Sequence, residues 1–123
     1  MQQQAALAYR QTAQKTASPR DLEANLLTRS ASQLHRIREN WDAEIGNLDS
    51  ALMFNRKIWT VFLTSVTKDD HPLPQPIRQN IANLGVFVMN QTLEIMGNPV
   101  PQKLDSLINI NREIAAGLRG NGA

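Results

Sequence analysis

All 6 prolines of this 123-residue chain fall in three places: Pro19, then Pro72, Pro74 and Pro76, then Pro99 and Pro101. Proline inside a helix costs about 3 kcal/mol, through a lost amide donor and a clash with the preceding turn. Its confinement leaves long proline-free stretches, and apolar residues recur in them at three- and four-residue steps. A chain punctuated in this way is a set of helices.

The first boundary is Ser18-Pro19-Arg20-Asp21. Serine caps free amides, proline suits the first helical position, and Asp21 places negative charge at the positive helix end. Leu22, Leu26, Leu27, Ala31, Leu34 and Trp41 then mark an amphipathic helix over residues 19–41. Gly46-Asn47 opens a second, over 48–67, whose stripe holds Leu48, Ala51, Leu52, Asn55, Ile58, Trp59, Phe62, Leu63 and Val66. After the polar connector Lys68-Asp69-Asp70-His71-Pro72, a third covers 76–96 with Ile77, Ile81, Leu84 and Val88, its face widened by Phe87, Leu93 and Met96. Gly97-Asn98-Pro99 ends it. The last covers 101–118, with Leu104, Ile108, Asn111, Ile114 and Leu118 on one side. Helices of roughly 20 residues are about 30 Å long, and such matched lengths pack well. Short connections favour antiparallel neighbours. The expected fold is all-α, an antiparallel four-helix bundle in a single domain over residues 1–123. An additional N-terminal segment, residues 2–14, carries a slight apolar face of Ala5, Tyr9 and Ala13. It reads as a marginal helix that needs a surface to lie on.

Composition narrows the function. The hydrophobic fraction of 41% is enough for a core, and aromatics at 5% leave aliphatic side chains to fill most of it. With no cysteine there is no disulfide, thiolate metal site or cysteine nucleophile. Apolar runs such as Val86-Phe87-Val88-Met89 fall far short of a membrane span. Met1-Gln2-Gln3-Gln4 lacks the early positive charge of a secretory signal, so the expected location is the cytoplasm. The pI of 9.4 looks basic, yet the formal net charge is only +2. That makes no case for nucleic acid by itself.

No motif for a cofactor or a metal is visible. His35 and His71 have no metal-ligand spacing with each other or with carboxylates. His35 sits beside Arg36 and Arg38 near a helix C-terminus, where positive charge complements the dipole. Asp69-Asp70-His71 offers a base and an acid, but without a nucleophile or phosphate loop. Acids such as Glu23, Glu39 and Asp105 are mixed among Arg29, Arg36, Arg38, Arg112 and Arg119, which breaks up any single-sign stripe. The chain reads as a binding protein rather than an enzyme. More informative are the polar residues inside apolar stripes. Asn55 lies between Leu52 and Trp59, and Asn111 between Ile108 and Ile114. A buried amide without a partner costs about 1–3 kcal/mol. Each must therefore bond within the core, fixing register, or bond to something that docks. Trp59 is expected to be largely buried. Gly85, in mid-helix, marks either close helix packing or the floor of a groove.

The stretch Ala51-Leu52-Met53-Phe54-Asn55-Arg56-Lys57-Ile58-Trp59, the later Leu84-Gly85-Val86, and the run from Ile108 to Leu118 resemble the flagellar biosynthesis family FlaF. Ala8-Tyr9 and Ser18-Pro19-Arg20-Asp21-Leu22-Glu23 fit it too. The most specific parts are the patterns Asn-Arg-x-x-Trp and Asn-Arg-x-x-x-x-Gly-Leu, in order and well separated. The resemblance implies a cytoplasmic protein needed for flagellin production and filament assembly. It implies action with the partner regulator FlbT, and service to flagellin as a secretion chaperone or regulator. Flagellin termini are helical and apolar on one face, which suits docking in a groove. Tyr9, Asn55, Arg56, Trp59, Asn111 and Arg112 are the candidate partner-binding residues. The rival reading is an RNA-binding regulator of flagellin translation, and a structural part of the exported flagellum is a third.

Overall fold

The structure is a computed structural model that describes residues 18–120. The segment 2–14, Tyr9 included, lies outside the described residues. Four long helices dominate: α1 (Pro19–Glu39), α3 (Leu48–Val66), α4 (Gln75–Gly97) and α5 (Asp105–Leu118). A short α2 (Trp41–Glu44) and a 3-10 turn (Ile45–Asn47) join α1 to α3, and a second 3-10 turn (Pro101–Leu104) precedes α5. Among the described residues there is no strand, and the fold is all-α.

The helix ends have local causes. At the start of α1, the Asp21 amide donates to the Ser18 hydroxyl oxygen at 3.1 Å, with proline following the cap. α1 stops at Glu39, short of the expected residue 41. Asn40 leaves helical geometry (φ −122°, ψ 48°), and its own amide groups close on the Arg36 carbonyl. Trp41 consequently opens α2 instead of ending α1. The last expected helix, 101–118, divides at Asp105. Pro101 lacks an amide hydrogen, and the chain tightens through 3-10 geometry before regular α-helix begins.

α1 is the central element, packing on both α5 and α3, while α3 also packs on α4. Paired side chains set the directions. Ser30 reaches Asn55 and Glu23 reaches Ser65, so α3 runs opposite to α1. The Arg38 guanidinium pairs with Asp105 at one end of the α1–α5 contact. At the other end Arg119 donates to Asn25 (2.8 Å) and Thr28 (3.0 Å). α5 therefore also runs opposite to α1. α4 meets α5 sparsely, which leaves an open cleft lined by Leu73, Ile77, Leu84 and Ile114.

The core is built from narrow seams. On α1 the buried residues are Ala24, Leu27, Ser30, Ala31, Leu34 and Ile37. On α4 they are Ile81, Gly85, Val88, Thr92 and Ile95, in alternating steps of four and three. This differs from the wider face expected for α4: Ile77, Phe87, Leu93 and Met96 are exposed. A helix that packs mainly against one neighbour covers only a narrow stripe, and the apolar residues flanking it stay in water.

Gly85 belongs to the close-packing reading. A β-carbon there would overlap the isopropyl group of Leu63 on α3. Gly85→Ala gains about 1 kcal/mol of helix propensity but forces Leu63 out of place, at a cost of about 1–3 kcal/mol. The expected result is a lower melting temperature. Adding Leu63→Ala should cost less in the Gly85→Ala background than in the wild type, a coupling readable from a double-mutant cycle.

Candidate functional site

Two features stand apart from ordinary core packing. The first is a buried polar chain. Ser30, Asn55, Trp59 and Asn111 all have no solvent exposure. The Trp59 indole N–H donates to Asn111 Oδ1 at 2.9 Å, and Asn111 Nδ2 donates to Asn55 Oδ1 at 2.7 Å. The Ser30 hydroxyl donates to the same Asn55 oxygen at 2.9 Å. An indole can only donate, so Asn111 must turn its oxygen to Trp59 and its amide to Asn55, which orients the whole chain. Asn55 Nδ2 is left buried without a hydrogen-bond partner among the described residues. The network ties α1, α3 and α5 at one level, which is the register reading of the two asparagines.

The six candidate partner-binding residues are placed differently. Asn55, Trp59 and Asn111 face inward and are fully buried, and Tyr9 lies outside the described residues. Their spacing in the sequence showed that they lie on the apolar stripes, and those stripes turn out to be the fully enclosed ones. Arg56 and Arg112 are exposed, on α3 and α5 respectively.

The second feature is a groove between α1 and α3. Its floor is Leu27, Ile58 and Phe62, and its walls are Leu26, Phe54 and Val61, with Glu23 and Lys57 at the rim. Val61 is 64% exposed, and Leu22 and Leu26, one turn apart on α1, are 45% and 42% exposed. Past Phe54 the apolar surface continues to Met53, bordered by Arg56 and Thr60. The Arg29 guanidinium sits 5.6 Å from the Phe54 ring centre, a cation–π contact that steadies that wall. Arg56 thus borders apolar ground, whereas Asn55 and Trp59 lie beneath it. Leu22, Leu26 and Ile58 were legible as apolar stripe, but Phe54 and Val61 were not singled out. Adjacency in the sequence does not single them out, because neighbouring apolar pairs such as Ile58-Trp59 and Leu107-Ile108 are both enclosed.

Glu23 marks the end of the groove nearest the start of α1. Burial pushes its carboxyl above the ordinary value of 4.5, against the opposing pull of a Ser65 hydrogen bond and of Arg20. A raised folded-state pKa means that the charged form is disfavoured by folding above that pKa. The cost disappears once pH falls below 4.5, where both states are protonated. Glu23→Gln is therefore expected to raise the melting temperature at pH 7, with the gain shrinking towards zero as pH falls below 4.5. A gain independent of pH would place its origin elsewhere. His71, in the connector, is pushed the other way. Burial lowers its pKa, as do Arg78 and Arg20, against a smaller opposing effect of Asp70. Its Nδ1 accepts the Leu73 amide at 3.2 Å and so pins the turn.

No group of three or more His, Asp or Glu side chains gathers as a metal site among the described residues. None of the described helices is long and apolar enough to cross a membrane. The sequence model of the family described as Flagellar protein FlaF matches residues 5–118. The chain belongs to the FlaF family of flagellar proteins. The matched span takes in every groove-lining residue and the whole buried polar chain, and it begins before the described residues. No curated protein and no solved structure matches the chain.

Proposed function

We propose that this FlaF-family chain is a cytoplasmic flagellin-binding protein, a secretion chaperone and regulator of flagellin production, which acts by holding an apolar flagellin helix in the α1–α3 groove. The observation that carries this reading is the groove itself. Leu22, Leu26, Phe54 and Val61 keep apolar surface in water at spacings that an amphipathic helix can interdigitate with. The FlaF resemblance supplies the client, and the one-sided apolar character of flagellin termini supplies the complementary face. Arg56 and Lys57 on the rim suit acidic positions flanking that face. The chain acts as a binding module and not as an enzyme, and FlbT is the partner with which it acts.

The test is a titration of fluorescently labelled peptides spanning the flagellin terminal helices. Binding is expected to depend weakly on salt. Val61→Glu and Leu26→Glu should each weaken it tenfold or more, about 1.4 kcal/mol, without loss of helicity. Both residues are exposed, so the substitutions leave the core intact. A chain that ignores these peptides but binds a flagellin leader RNA, with affinity falling steeply as salt rises, would establish the RNA-regulator reading instead.

A further inference from the structure

We infer that a second copy of this chain docks along the outer flank of α4, the two α4 helices lying antiparallel about a two-fold axis. Spacing is the first argument. Ala82, Val86, Met89, Leu93 and Met96 follow one another in alternating steps of four and three, the heptad seam by which helices pair. This seam runs beside the buried one of Ile81, Gly85, Val88, Thr92 and Ile95 and is a separate face. Leu63 of α3 packs at Gly85, so α3 occupies the buried seam and leaves the other free. Val86 and Leu93 are each 62% exposed and Met96 42%, with Ala82 and Met89 half-buried.

Charge is the second argument, and it selects the occupant. From Gln79 to Gly97, α4 holds a single charged residue, Glu94, and Lys103 of the same chain pairs with that carboxylate at 3.0 Å. The other long helices carry exposed charges: Arg29 and Arg36 on α1, Arg56 and Lys57 on α3, Arg112 and Glu113 on α5. Loss of charge where apolar residues stay in water is how the centre of an interface differs from ordinary surface. Such a face gives a charged partner nothing to pair with, yet it meets its own copy without repulsion. Register is the third. An axis level with Gln91 sets Val86 against Met96 of the second copy, and Met89 against Leu93 of the second copy. Every layer is then apolar, the contact is the same patch on both sides, and the two helix dipoles oppose. The seam is about 21 Å long. It covers less than the roughly 1,600 Å² of a standard interface, so the dimer is reversible and forms at tens of micromolar.

The test is sedimentation equilibrium of the full chain from about 1 µM to about 200 µM, a range that brackets such an affinity. The expected mass rises from one copy to two and stops there. Leu93→Glu and Val86→Glu should each raise the dissociation constant at least tenfold with helicity unchanged, since both positions are exposed. Val61→Glu, in the α1–α3 groove, should dimerise like the wild type, which keeps this inference separate from the flagellin reading. The chain has no cysteine, so a single spin label reports only on its counterpart in the second copy. Labels at Asn90→Cys should lie close together beside the axis. Labels at Gln79→Cys should be separated by about 36 Å along it. A monomer at every concentration, growth beyond two copies, or a dimer indifferent to both glutamate variants would each overturn the inference. So would Gln79 labels as close together as those at Asn90, which would mean parallel helices.

Discussion

Trp59→Ala should destabilise the protein by about 3–5 kcal/mol, the cost of a cavity where the largest buried side chain had been. Trp59 packs edge-on against Phe62, ring centres 5.5 Å apart at 69°, and its N–H ends in the polar chain. The loss therefore has two parts that a second variant separates. Trp59→Phe keeps most of the aromatic volume but leaves Asn111 Oδ1 without a donor in a dry interior, which costs about 1–3 kcal/mol. Urea denaturation of the two variants gives both figures. A Trp59→Phe variant as stable as the wild type would show that the indole hydrogen bond contributes nothing, and that packing alone accounts for the alanine result.

Asn111→Ala should cost about 2–4 kcal/mol, although only a small amide is removed. Its oxygen is the acceptor for Trp59 and its nitrogen is a donor to Asn55. Removing it leaves the indole N–H buried and unmet, while Asn55 Oδ1 keeps its bond from Ser30. Asn111→Leu restores volume but not the acceptor, so it should recover only part of the loss. Combining it with Trp59→Phe removes donor and acceptor together, and buried polar pairs replaced as a pair cost far less than either member alone. The expected double-mutant cycle therefore shows coupling of about 1–2 kcal/mol in denaturant midpoints. Strict additivity of the two substitutions would mean that the Trp59–Asn111 bond carries no net stability. Because this bond crosses between α3 and α5, its loss should also broaden the native NMR spectrum of α5 before it unfolds the chain.

The two asparagines and the groove show how differently core and surface are written. Asn55 and Asn111 stood out in the sequence because each interrupts an apolar stripe, and the desolvation cost of an amide requires a partner somewhere. That requirement is local and can be read from spacing. The identity of the partner is not, since Asn55 and Asn111 are 56 positions apart and meet only when α3 and α5 both pack on α1. Phe54 and Val61 pose the opposite difficulty. As apolar residues in an apolar-rich helix they carry no sign of being left uncovered. Their exposure follows from α1 and α3 packing along Leu27, Ile58 and Phe62, with no described element over the outer flank.

What the sequence determined by itself are properties that depend on a few neighbouring residues. Proline positions and the Ser18 cap set where helices start and stop, because lost amide donors and end charges act within a turn. The 3.6-residue period set which side of each helix is apolar. It could not set how wide a buried seam would be, which is why α4 keeps Leu93 and Met96 in water while Ile95 between them is enclosed. Nor could it foresee Asn40 splitting α1 from α2. Tertiary structure decided these points, along with the Trp59–Asn111–Asn55–Ser30 chain and the open groove, because each depends on which helix lies against which. Periodicity is a property of one helix about its own axis, and burial is a property of two.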